Sequence, residues 1–204
     1  TTAAAPRENQ VERSYEDLRS LIIDGRLAPG SRVMAADLAR RLDASRRTIH
    51  VALHRLEQDG LLERLDGNYD RWLVPPLTVD SFREALQVIG VLEGFAGRRL
   101  ASVDAERLSE ILTHLQDRNA AFRKAGHKES LDGHAAGDLD CAFHDVTTLV
   151  AGPQLRATLE SYRPRLERYV RSYMGYLVME VSISADEHDD IIEAIERRDA
   201  DAIE

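Results

Sequence analysis

A chain of 204 residues has room for one domain or two small ones, and 43% hydrophobic with 31% charged residues excludes wholesale disorder. No uncharged apolar run reaches the ~18 residues of a membrane span, and the opening TTAAAPRENQ lacks the apolar stretch of a secretory signal. The single cysteine, Cys141, excludes an internal disulfide framework and a multi-cysteine zinc module, so the expectation is a soluble cytoplasmic protein with no membrane partner. Charge is unevenly divided. Residues 1–75 hold 12 Arg, no Lys and 12 acidic residues, whereas residues 76–204 hold 15 basic and 24 acidic residues and carry the whole net charge of −9. An acidic body repels polyanions, so any nucleic-acid contact belongs in the first 75 residues.

In chain order, Ser14–Asp24 carries Leu18, Leu21 and Ile22 at helical spacing and stops at Gly25. Ala28-Pro29-Gly30 reads as a turn, and Ala35–Leu42 as a short helix showing Leu38 and Leu42. Ser45 is a good N-cap for a third helix ending at Gly60. Leu62–Leu65 and Arg71–Val74, separated by Asp66-Gly67-Asn68, read as a hairpin. Helix, helix, helix, hairpin is the order of a winged helix-turn-helix, which Pro75-Pro76 ends.

From Pro76 on, the pattern is helical throughout. Phe82, Leu86, Ile89 and Ala96 mark one helix, and Leu108, Ile111, Leu112 and Leu115 a second. Leu139, Phe143, Val146 and Val150 mark a third, and Pro153 opens a long one whose interior Pro164 is expected to kink it. Ser184-Ala185-Asp186-Glu187 reads as a capping box for a final helix showing His188, Ile191, Ile192 and Ile195 on one face. The expected fold class is mainly α: a winged helix-turn-helix domain with a small hairpin wing at 1–75 and an all-helical bundle at 76–204.

In the third helix Ile49, Ala52, Leu53 and Leu56 fall on one side and Arg46, Arg47, His50 and His54 on the other. A recognition helix needs one buried face and donors near its N-terminal end, because its first turns enter the major groove. Arg is the best bidentate reader of guanine, and Ser45 and Thr48 can serve phosphates or bases. A solvated basic face, or a winged helix that contacts protein, fits the same pattern.

Tyr15-Glu16-Asp17-Leu18-Arg19 and Ile22-Ile23-Asp24-Gly25-Arg26-Leu27-Ala28-Pro29-Gly30 resemble the opening of GntR-family transcriptional regulators. Asp37-Leu38-Ala39, Ala44-Ser45-Arg46 and Ala52–Leu62 continue the likeness in register. The part from Pro76 resembles the FCD effector domain of the FadR subfamily through Leu92-Glu93-Gly94, Asp140-Cys141-Ala142-Phe143-His144 and Glu187–Ile195. The resemblance implies that Ser45, Arg46, Arg47, Thr48, His50 and the wing tip Gly67-Asn68 approach DNA. Two departures matter: His50 stands where the family usually has Arg, and Arg47 where it usually has a small Thr. The operator's base sequence therefore does not carry over from relatives.

Asp140 and His144, one turn apart, share a helical face, and His188 lies on the apolar face of its own helix. Inward polar ligands invite a divalent metal, although a salt bridge and a packed core histidine fit the spacing equally. The resemblance favours the metal, zinc or nickel-like, since metal-binding FCD domains use such an Asp/His pair and two further histidines. Asp140, His144 and His188 fill three of those roles. The fourth His would fall roughly twenty residues past His188, beyond Glu204, so the site is expected to be completed by a final helix outside this chain, by water or by effector. Ile89 stands where many relatives place an Arg that holds an acidic effector, which leaves an organic acid as only one candidate ligand.

The expected function is an effector-responsive transcriptional repressor that binds double-stranded, palindromic operator DNA as a homodimer and is not an enzyme. A metal-free regulator is one alternative. A hydrolase built on Asp140, His144 and His188 is another, but the sequence lacks a nucleophile elbow, a phosphate loop and an evident general base.

Overall fold

The structure, a computed structural model, describes residues 7–65, 69–126, 133–177 and 181–203. The chain divides into two compact units between Phe82 and Arg83.

In the first unit, α1 (Arg7–Ile23) buries Leu18, Leu21, Ile22 and Ile23. It starts a full two turns before the expected Ser14. It ends at Gly25, whose φ of 69° is one that side-chain-bearing residues rarely adopt. Next come β1 (Arg32–Met34), α2 (Ala35–Arg41) and α3 (Arg46–Gln58), then β2 (Glu63–Arg64) and β3 (Arg71–Leu73). The expected hairpin is thus part of a three-stranded antiparallel sheet in the order β1-β3-β2, with Val33 opposite Trp72 and Arg64 opposite Trp72. A strand with one inward residue, Val33, has no alternation to reveal it. The wing-tip residues Gly67 and Asn68 lie outside the described residues. Ile49, Ala52, Leu53 and Leu56 of α3 are fully buried with Leu18, Ile22, Leu38 and Trp72 in one apolar core.

The second unit contains α4 (Val79–Gly97), a 3₁₀ turn (Arg98–Ser102), α5 (Ala105–Gly126), α6 (Gly133–His144), α7 (Val146–Val150), α8 (Pro153–Leu177), α9 (Val181–Glu196) and α10 (Ala200–Ile203). Thr78 accepts the Ser81 N–H at 3.2 Å and caps α4. Two elements differ from the sequence expectation. The helix expected to carry Leu139 through Val150 is broken at Asp145 into α6 and α7, so both halves can bury Phe143 and Val146 in one cluster with Leu115 and Ile195. The Ser184 capping box is not a cap: α9 already begins at Val181, which is buried with Phe122, Ala136 and Ala185, and that apolar anchor outweighs the local cap signal. α8 keeps Pro164 inside one continuous helix. Among the described residues no helix is long and apolar enough to cross a membrane.

Candidate functional site

The N-terminal end of α3 is shaped by its cap. Ser45 Oγ accepts the Thr48 N–H at 3.1 Å and lies 2.8 Å from Thr48 Oγ1, so the two hydroxyls engage each other. Thr48 is buried. Arg46 and Arg47 are exposed, and neither has an ion-pair partner among the described residues. His50 is half-buried, with Nε2 3.3 Å from Asp70 Oδ1, so it is tied to the residue that enters β3. Further along, His54 reaches Glu57 at 3.1 Å and meets the edge of Trp72 with ring centres 5.3 Å apart. Arg55 grips Glu12 at 2.7 and 3.3 Å and covers the Tyr15 ring at 4.0 Å, fastening α3 to α1. Burial and the Asp59 carboxylate, which accepts the Tyr15 hydroxyl at 2.7 Å, push that hydroxyl up to about 12, so it stays a donor across the neutral range. The free donors of this face are therefore Arg46 and Arg47, a division of labour that residue types alone do not reveal.

In the second unit Asp140, His144 and His188 bring one ligand atom each to within 4.8 Å of one another. α6 places Asp140 and His144 one turn apart, and α9 supplies His188, which is 2% exposed and stacked on Phe143 with ring centres 3.7 Å apart. His188 Nδ1 lies 3.1 Å from Asn119 Oδ1. The Asn119 amide N–H groups are already donated to Ala185 O at 2.9 Å and Asp189 Oδ1 at 2.6 Å, so its oxygen faces the imidazole and Nδ1 carries the proton. That leaves the Nε2 lone pair facing Asp140 Oδ1 at 3.5 Å. Two acceptors at that separation require a cation or a second proton between them, and a divalent ion fits the donor set of one carboxylate and two imidazoles. On the other side His144 Nδ1 faces Glu93 Oε2 at 3.5 Å, and Arg163 holds Glu93 at 2.7 Å. Each imidazole thus turns one nitrogen to an outer acceptor, the arrangement that fixes tautomer and ring orientation in metal sites. Burial, with Asp140 beside it, pushes the Cys141 thiol up to about 12, so no thiolate is available there. A cavity of about 180 Å³ lies against His144, Glu93 and Phe143, with Ile191, Ile195 and Ile203 as apolar wall. Ile89 is buried.

Sequence reasoning brought together Asp140, His144 and His188 but missed Asn119 and Glu93. Asn119 did carry a signal, since it follows Leu115 by four residues and precedes Phe122 by three, a polar residue in an apolar stripe. Asn119→Ala should lower divalent-metal affinity by about 10–100-fold by freeing the His188 ring. Competition against a chromogenic chelator measures this, and unchanged affinity would remove the positioning role.

The family description "Bacterial regulatory proteins, gntR family" matches residues 10–68, and the FCD domain matches residues 84–204, more than half of the chain. The chain belongs to the GntR family. It is a transcriptional regulator with an FCD effector-binding domain. An uncharacterized HTH-type transcriptional regulator in the TAR-I ttuE-ttuC' intergenic region of Agrobacterium vitis is 33% identical over 142 residues, spanning 70% of this GntR regulator and 80% of that protein. The HTH-type transcriptional repressor RspR of Escherichia coli K12 is 26% identical over 208 residues, covering 100% of this chain and 86% of its own. The fold is shared with E. coli McbR/YncC, with a TM-score of 0.72 at 18% identity over 95% of this chain and 89% of that one. It is shared too with a GntR regulator from Rhodococcus sp. RHA1, with a TM-score of 0.65 at 21% identity over 96% and 90% of the two chains.

Proposed function

We propose that this GntR regulator is a cytoplasmic, homodimeric repressor whose residues 1–75 bind a palindromic operator and whose residues 76–204 sense a small molecule. The observation that carries the DNA-binding half is the pair of exposed guanidinium groups of Arg46 and Arg47 at the start of a helix whose opposite face is core. Ser45 and Thr48 shape that end, His50 borders it, and Gly67 and Asn68 are the sequence-assigned wing contacts. Repression follows the relative named a transcriptional repressor. One recognition helix covers too few base pairs to select an operator from a genome, and a two-fold dimer doubles the contacts.

Asp140, His144 and His188 would hold a zinc- or nickel-like ion. When bound, the ion supplies a Lewis-acidic anchor for an oxygen donor of the effector. The adjoining cavity, at about 180 Å³, is below the ~300 Å³ where pockets for drug-sized ligands begin, so it suits a small molecule. With Ile89 buried and Glu93 beside His144, an organic acid finds no arginine at position 89 and a carboxylate in its path. We read the group as a sensor and not a hydrolytic centre, since both histidines spend one nitrogen on outer partners and are poorly placed to shuttle protons.

Selection from a random DNA pool tests the reading. The chain should enrich inverted repeats whose half-site centres lie about 10–10.5 base pairs, or a multiple, apart. Light scattering should give about twice the 22.9 kDa chain mass. Enrichment of single, unpaired half-sites by a monomer would overturn the dimeric operator reading.

A further inference from the structure

Within the second unit, α4 buries Ala85, Ile89 and Ala96 against Ala151 and Leu159, but leaves its opposite side apolar. Val91 is 71% and Phe95 57% exposed, and Val88 is half-buried. These residues and two charged ones fall at Glu84, Val88, Val91, Phe95 and Arg98, separated by four, three, four and three residues. That is the a/d spacing of a coiled-coil seam sustained over two heptads, about 21 Å of helix. Arg98 is the first residue of the 3₁₀ turn that continues α4. A contiguous apolar row on a charged surface marks an interaction site, not a solvated face.

The ends of the row identify its occupant. The sequence is pseudo-symmetric about Val91: Glu84 lies seven residues before it and Arg98 seven after, with Val88 and Phe95 between. Laid antiparallel on a second copy about a two-fold axis at Val91, the seam pairs Glu84 with the other copy's Arg98 twice, and Val88 with Phe95 twice. A parallel arrangement would instead set Glu84 against Glu84 and Arg98 against Arg98. Arg98 already reaches Asp201 at 2.8 Å, which holds its guanidinium near this edge of the unit. An isologous interface needs a self-complementary patch, and opposite charge at mirrored positions sets its register. We infer that the Glu84–Arg98 face of α4 is the subunit interface, an antiparallel helix pair between two copies of this chain. This rests on the homodimer reading above and names its surface.

Phe95→Glu and Val91→Cys in the full chain test it. Phe95 is exposed, so Phe95→Glu should melt near the wild-type temperature. In a two-fold dimer the lesion occurs twice, and a loss of about tenfold or more at each site raises the dimer dissociation constant about 100-fold. Val91→Cys should form a covalent dimer on mild oxidation, because the two copies of this residue meet on the axis. Val88→Cys should not crosslink alone but should do so when mixed with Phe95→Cys, which separates antiparallel from parallel pairing. If wild type is monomeric at every concentration, the homodimer reading itself fails. If wild type is dimeric while Phe95→Glu remains dimeric and Val91→Cys does not crosslink, the seam fails and the dimer stands on another surface.

Discussion

Replacing Arg46 and Arg47 together by alanine should abolish operator-specific binding and leave the fold intact. Both side chains are exposed without an ion-pair partner among the described residues, so their loss breaks no internal contact. The Ser45–Thr48 cap that starts α3 is also untouched. A guanidinium bidentate to a guanine edge contributes about 1–3 kcal/mol of base discrimination, and a dimer carries four such groups. The sum of about 4–12 kcal/mol is comparable to the whole ~4–10 kcal/mol by which specific binding exceeds non-specific binding. Specificity should therefore vanish while weak, salt-sensitive association persists. A residue that touches only phosphate behaves differently: its removal weakens all sequences alike and flattens the salt slope by about one. Anisotropy titrations at several salt concentrations, on operator and scrambled DNA, separate the two. A double variant that binds operator like wild type would take α3 out of the groove.

Trp72→Ala should unfold the first unit before any other single change there. Trp72 is fully buried in the central strand β3, paired to both β1 and β2. Large-to-small replacement of such an aromatic costs about 3–5 kcal/mol, from lost transfer energy and the cavity left behind. A domain of 60–100 residues loses about 4–8 °C per kcal/mol, so its transition should fall by at least about 12 °C. Trp72→Phe is the informative partner. The indole N–H has no acceptor among the described residues, and removing an unsatisfied buried donor recovers part of the packing loss. Calorimetry of the full chain should place Trp72→Phe far closer to wild type than Trp72→Ala. Equal losses in the two variants would mean that the unpaired N–H contributes nothing.

Legibility in the sequence followed the length scale of the signal. α3 was readable from its cap, its closing glycine and a 3.6-residue stripe, all local, and Gly60 does take a φ of 70°. The Asp140/His144 pair was readable for the same reason, one turn of one helix. What escaped was decided by contacts distant in sequence. Asn119 acquires its role from His188, 69 residues away, and Glu93 from Arg163, 70 residues away. The start of α9 was misread because Val181 finds its apolar partners on α5 and α6, and tertiary burial overrode the capping box. The break at Asp145 likewise follows from packing, since the apolar period continues through it unbroken.

The ion pair between His50 and Asp70 couples the evolution of operator preference at two sites. Position 50 sits on the reading helix, yet its imidazole is anchored to a residue beyond the wing tip. A change from His50 to a longer cation would leave Asp70 with a different partner geometry, and a change at Asp70 would release the ring toward solvent or DNA. Neither site can drift alone without altering the other's environment, so substitutions there are expected to be epistatic. A transplant of residues 45–58 into another scaffold would carry the imidazole without its tether, and would import a reading surface different from the one this protein presents.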